Sequence, residues 1–133
     1  MSNSEKAAYV VALAKSLLGT PYSSSPSAPS SFDCSGFVKY CFKKAGVTLP
    51  GTAQSQGYSS KYTRITSISS LQAGDVVCFN TNSSDDDLSD HTGIYIGNGY
   101  FIHASSSAGK VITSSLTSGY YKSTFSWGLR IFE

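Results

Sequence analysis

The sequence predicts an α+β fold, with N-terminal helices packed on one face of an antiparallel sheet. Three observations predict it. Apolar residues recur at helical spacing only in the first half of the chain. Beyond Thr63 the period changes to short strand-like runs such as Val76-Val77-Cys78-Phe79. Two of those runs flank Gly97-Asn98-Gly99, a strong hairpin signal. The 133 residues leave room for one domain and one core, so the expected unit is 1–133.

The first helix is expected from about Ser4 to Leu18. Ala7, Val10/Val11, Ala14 and Leu17/Leu18 supply its apolar stripe, and Gly19 and Pro21 stop it. A Ser- and Pro-rich segment, Tyr22 to Phe32, reads as a surface loop on one rim of a cleft. Asp33 is a good N-cap for a second helix, Cys34 to Ala45, with Phe37/Val38 and Cys41/Phe42 on its apolar face. Lys43 and Lys44 suit its negative C-terminal end and Gly46 closes it. A short helical piece is expected from Thr52 to Gln56. Strands are expected at 75–80, 92–97, 100–104, 110–113 and 125–132, with a polar loop from Thr81 to Asp90.

Composition narrows the function. Hydrophobic residues make up 40% and charged residues 14%, which excludes a charge-rich disordered chain. The net charge is +2 and no Lys/Arg cluster stands out, so no nucleic-acid partner is expected. No apolar run approaches a membrane span. The polar start, Met1 to Lys6, does not read as a signal peptide; the chain is then mature or trimmed, or export uses another route. Cys34, Cys41 and Cys78 are odd in number and lack a Cys-x-x-Cys, so no disulfide framework is expected. Cys41 and Cys78 lie in apolar patterns and read as small buried hydrophobes.

The chemistry sits in Phe32-Asp33-Cys34-Ser35-Gly36-Phe37-Val38 and in two later histidines, His91 and His103. A cysteine in the first helical turn feels unpaired backbone N–H groups, which favour thiolate over thiol. A thiolate beside an imidazole can attack an amide carbonyl, given a further polar group to orient the imidazole. Asp33 and Ser35 are polar and Gly36 leaves open space beside the thiol, so a buried filler role for Cys34 fits poorly. The hairpin constrains the histidines. A two-residue loop at Asn98-Gly99 pairs Ile94 with His103 and puts His91 on the opposite face. A three-residue loop pairs Gly93 with His103 and puts both histidines on one face. If they act together, the loop is odd in length, a bulge intervenes, or His91 lies just outside the regular strand. Asp85, Asp86, Asp87 and Asp90 read as a solvated loop, lacking the glycine and distal glutamate of a calcium loop. Zinc on Cys34, His91 and His103 is a chemical rival that lacks a fourth ligand, so no metal or other cofactor is expected.

Gly-Thr-Pro-Tyr, Phe-Asp-Cys-Ser-Gly-Phe-Val, Leu-Pro, Leu-Gln-Ala-Gly-Asp-Val-Val, His-Thr-Gly-Ile-Tyr-Ile-Gly-Asn-Gly and Phe-Ile-His-Ala, in that order, resemble the NlpC family of bacterial cell-wall cysteine peptidases. The resemblance implies a papain-like fold, with N-terminal helices on a five- to six-stranded antiparallel sheet and the catalytic cysteine at a helix N-terminus. It implies Cys34 as nucleophile, His91 as base and His103 as the group that orients His91. Tyr22 and the Cys34 N–H would hold the oxyanion, and Asp33 and Ser35 would contact the peptide stem of peptidoglycan. The bond implied lies between γ-D-glutamate and a diamino acid. The sequence departs from the family at Ser23 to Ser27, where a Trp/Gly-Gly stretch is usual, and at Gly51, where an arginine is usual. A related thiol amidase or acyltransferase, and a silent wall-peptide binding module, are the alternatives. The intact Cys34, His91 and His103 argue against the last. A monomer is favoured.

Overall fold

The computed structural model describes residues 1–82 and 84–133; Ser83, inside the expected Thr81–Asp90 loop, lies outside the described residues. The helices come first. α1 is Asn3–Ser16, α2 is Cys34–Lys44 and α3 is Ala53–Gly57. Strands β1 (Thr63–Ile65), β2 (Val76–Phe79), β3 (His91–Gly97), β4 (Tyr100–Ser105) and β5 (Lys110–Ser115) follow, then a short helix α4 (Gly119–Thr124) and strand β6 (Phe125–Arg130). Every neighbouring pair in the six-stranded sheet is antiparallel, in the order β1-β6-β2-β3-β4-β5.

The helix ends follow the sequence. Ser2 and Glu5 form a capping box at the start of α1, which therefore begins at Asn3, a residue earlier than expected. Gly19 and Gly46 both take positive φ, +88° and +89°, just beyond the ends of α1 and α2. Val10 and Ala14 of α1 and Phe37, Val38, Cys41 and Phe42 of α2 are buried against Val76, Cys78, Ile94, Ile102 and Ala104 of the sheet. Each fully buried Val, Ile or Phe among them contributes roughly 1.5–3 kcal/mol.

The sheet is also covered on its other face. Val77 and Phe79 alternate with Val76 and Cys78 and join Leu71, Tyr95, Phe101 and Leu116 in a second cluster. All four residues of β2 are consequently buried. Tyr121 of α4 closes this cluster, packing on Phe79 and Phe101 with ring centroids 5.3 and 5.1 Å away.

One strand and one α-helix were not expected, nor was a single 3-10 turn at Ile68–Ser70. β1 has three residues, too few to show alternation; Arg64 there lies over the Trp127 ring at 3.8 Å. α4 has no side-chain cap, and its Gly-Tyr-Tyr-Lys-Ser-Thr composition is poor for a helix. Its tyrosine packing overrides that propensity.

The hairpin resolves through a bulge. Ile94 pairs with Ile102 and Tyr95 with Phe101, but Gly97 pairs with Tyr100, so Ile96 is extra. Asn98 and Gly99 form a tight two-residue turn with φ of 57° and 84°. Beyond the bulge the register is that of the longer loop, with His91 and His103 on one face.

Candidate active site

The site begins at the Asp33 cap. Asp33 is extended, and its Oδ1 accepts the Gly36 N–H at 2.7 Å, so helical geometry starts at Cys34. A Cβ at Gly36 would fall 2.5 Å from that oxygen; the glycine makes room for the cap rather than for the thiol. Cys34 is partly exposed, whereas Cys41 and Cys78 are buried. The thiol faces the N–H groups of Thr92, Ser35 and Cys34 itself. Burial nevertheless pushes its pKa up, outweighing those donors, and Asp33 adds to the rise. The helix-start N–H groups act in the expected direction, toward thiolate, but burial opposes them and favours the neutral thiol.

The residue before Thr92 belongs to a pair of imidazoles. His91 Nε2 lies 2.8 Å from His103 Nδ1, and His103 Nε2 lies 2.8 Å from Ser114 Oγ. His91 Nδ1 has no hydrogen-bond partner among the described residues. His103 is fully buried, and Tyr121 packs on both rings, with centroids 6.2 Å from His91 and 5.0 Å from His103. Burial lowers the pKa of His91 to about 4, against a small opposing pull from Asp90. Burial, then the neighbouring His91, lowers His103 to about 3. Both rings are therefore neutral at neutral pH, and each has one donor and one acceptor nitrogen. Gly93 makes space for the pair: a Cβ there would meet Phe101 Cδ2 at 2.8 Å and His103 Cβ at 3.1 Å.

Gln56 binds the two halves together. It is 2% exposed, and its Nε2 donates to the carbonyls of Ser35 (3.0 Å) and Pro50 (2.9 Å). Its Oε1 accepts from Thr92 Oγ1 at 2.9 Å. One buried amide thus spans from the residue after Cys34 to the residue after His91. Neither Gln56, Ser114 nor Tyr121 was singled out in the sequence. A buried amide in a short polar helix, a serine on an edge strand and a tyrosine in a poor helix carry no local signal.

The remaining candidates lie around the thiol. Tyr22 is held by its N–H donating to Gly109 O at 2.9 Å, and its hydroxyl pKa is raised by burial and by the nearby Cys34 and Asp33. Asp33 Oδ2 has no hydrogen-bond partner among the described residues. Ser35 is 7% exposed, with its carbonyl already engaged by Gln56. A cleft of about 460 Å³ is lined by His91, Thr81, Ser105, Ser107, Tyr120 and Tyr121. Another depression, of about 430 Å³, lies between α1 and Gln72–Asp75, remote from these groups. The acidic residues serve their own loop: Asp90 accepts from Thr81 and Asn82, and Asp85 and Asp87 accept from N–H groups two residues on. Among the described residues no three or more His, Cys, Asp or Glu side chains gather as metal ligands, and no helix is long and apolar enough to cross a membrane.

A neutral thiol, an imidazole with a free Nδ1 and several inward N–H groups can together form and break an acyl bond. Comparisons with known proteins place the chain among endopeptidase and peptidoglycan hydrolase relatives. The NlpC/P60 family model matches residues 19–130. Probable endopeptidase p60 of Listeria monocytogenes is 43% identical over 97 residues, which are 71% of this chain and 18% of that protein. Probable peptidoglycan endopeptidase LytE of Bacillus subtilis is 42% identical over 113 residues, 85% of this chain and 31% of LytE. The chain thus spans less than a third of either relative. Among solved structures, NlpC2 from Trichomonas vaginalis superposes with a TM-score of 0.86 at 29% identity, covering 96% of this chain and 47% of that one. The peptidoglycan hydrolase RipB from Mycobacterium tuberculosis gives 0.79 at 26% identity, over 98% and 67%.

Proposed function

The chain belongs to the NlpC/P60 family, and we propose that it is a cysteine endopeptidase acting on peptidoglycan stem peptides, at the bond between γ-D-glutamate and the diamino acid. The observation that carries this reading is the Cys34 thiol facing the N–H of Thr92, the residue after His91, with His91 Nε2 engaged by His103 and its Nδ1 without a hydrogen-bond partner among the described residues. The peptidoglycan hydrolase and endopeptidase names of the relatives support the substrate class.

The reaction starts from neutral thiol and neutral imidazole. Cys34 Sγ attacks the amide carbonyl carbon as its proton passes to His91 Nδ1, so thiolate forms only as it is consumed. The carbonyl oxygen becomes an oxyanion, met by the Cys34 N–H and the Tyr22 hydroxyl. Burial makes the His91 imidazolium a strong acid. It gives its proton to the leaving amine as the C–N bond breaks. Water, deprotonated by the restored imidazole, then attacks the thioester; the carboxylic acid leaves and the thiol is regenerated. Asp33 Oδ2, at the mouth of the groove, would pair with the free ammonium of the stem.

Mass spectrometry of defined stem peptides after incubation with the protein tests this. Two fragments separated at the γ-D-glutamyl bond are expected. Cleavage elsewhere would retain the thiol mechanism and discard the bond assignment. Intact peptide with both wild type and Cys34→Ala would refute the peptidase reading.

A further inference from the structure

We propose that Ser114 is a positioning residue that sets which nitrogen of His91 carries the proton, acting through His103. The inference rests on the reading of His91 as the base. His91, His103 and Ser114 form one chain through two contacts of 2.8 Å, and a neutral imidazole can run that chain in either direction. In one direction the Ser114 hydroxyl donates to His103 Nε2, His103 Nδ1–H donates to His91 Nε2, and the remaining His91 proton sits on Nδ1. That His91 cannot accept the thiol proton. In the other, His91 Nε2–H donates to His103 Nδ1, His103 Nε2–H donates to Ser114 Oγ, and His91 Nδ1 is a bare lone pair.

Ser114 favours the second direction by where it stands. β5 is the edge strand of the sheet, and Ser114 is half-buried there, while His103 is fully buried. Its hydroxyl hydrogen can therefore turn to water and leave lone pairs facing the ring. A buried ring N–H needs an acceptor, and leaving it without one costs more than turning a hydroxyl that water can satisfy. The chosen direction is also the one the imidazolium requires. When His91 takes a proton at Nδ1, every N–H downstream already points toward Ser114, so no second proton moves. A hydroxyl suits the position in charge as well as in geometry. A carboxylate there would stabilise the imidazolium and hold the proton that the leaving amine needs.

The test is the ring-nitrogen ¹⁵N spectrum of the full chain at neutral pH, recorded with stem-peptide kinetics for wild type, Ser114→Ala and Ser114→Thr. Wild type is expected to show protonated Nε2 on both histidines. In Ser114→Ala the His103 proton should move to Nδ1 and the His91 proton with it, and kcat should fall about tenfold, the equivalent of one lost hydrogen bond, with KM little changed. Ser114→Thr keeps the hydroxyl and should restore the wild-type tautomers and most of the rate. A simple packing role would lower stability without moving the ring protons. Wild-type tautomers in Ser114→Ala, or a wild-type His91 protonated at Nδ1, would overturn the inference. A tautomer shift in Ser114→Ala, with a wild type that cuts no stem peptide, would uphold the role of Ser114 and refute the peptidase reading.

Discussion

Gln56→Ala removes more than a side chain. Three hydrogen bonds disappear, two onto the carbonyls of Ser35 and Pro50 and one from Thr92, all at a residue 2% exposed. At about 1 kcal/mol each, the loss is about 3 kcal/mol. Water entering the space returns part of it; the cavity adds to it. For a chain of this length such a loss lowers the melting temperature by about 10 °C. Gln56→Glu separates the hydrogen bonds from packing. Its carboxylate would face two carbonyl oxygens, and burial would raise its folded-state pKa above the unfolded value. The folded state then binds the extra proton, so the variant loses stability as pH rises through that window. Thermal melts of the three proteins at pH 5 and pH 7.5, with wild type as reference at each pH, read both effects. Kinetics supply a further check, since Gln56 connects the neighbours of Cys34 and His91, and kcat should fall more than KM rises. A Gln56→Ala melting shift under about 3 °C, or a Gln56→Glu penalty independent of pH, would refute the bracing role.

Other outcomes follow from the same geometry. Cys34→Ala should abolish turnover, and peptide mapping after iodoacetamide treatment at neutral pH should find label on Cys34 alone, because burial raises Cys41 and Cys78 to about 12 and removes them from solvent. The histidines give a pH signature: with folded-state values near 4 and 3 against an ordinary 6.5, the unfolded chain binds more protons between those limits. Stability should therefore fall as pH drops from about 6.5 toward 4, and a urea-melt series that is flat across that window would contradict the neutral pair. His103→Asn keeps a hydrogen-bonding group beside His91 and should retain more activity than His103→Ala; equal losses in stem-peptide assays would give the ring another task. Asp33→Asn keeps the cap oxygen, so it should leave the melting temperature nearly unchanged while raising KM for stems with a free amino end, with little further effect on N-acetylated stems.

Cys34 at a helix start was legible because its punctuation is local: Asp33 before it, Gly46 after it and an apolar stripe between. The strands beside the hairpin were legible for the same reason, and the shared face of the histidines was narrowed to three geometries, of which the bulge at Ile96 is the one realised. The protonation state of Cys34 was not legible. It depends on how deeply the sheet buries the thiol, a property of residues fifty or more positions away. Gln56, Ser114 and Tyr121 share that character. Each is defined by a partner distant in sequence, and neither spacing nor composition records such a partner. β1 and α4 fell below the length at which periodicity speaks.

The rim loop beside the thiol is closed at its neck. Ser23 N–H donates to Phe32 O at 3.0 Å and Phe32 N–H to Pro21 O at 3.1 Å, while Gly19 and Tyr22 are pinned to Val111 and Gly109 at 2.9 Å. The residues between Ser23 and Phe32 thus hang from two anchored ends, one next to Tyr22 and the other next to Asp33 and Cys34. Their length and composition can change without levering on either anchor, so this Ser- and Pro-rich stretch is a cassette. Exchanging it redraws the surface beside Tyr22 and Asp33, and the two anchors keep their places.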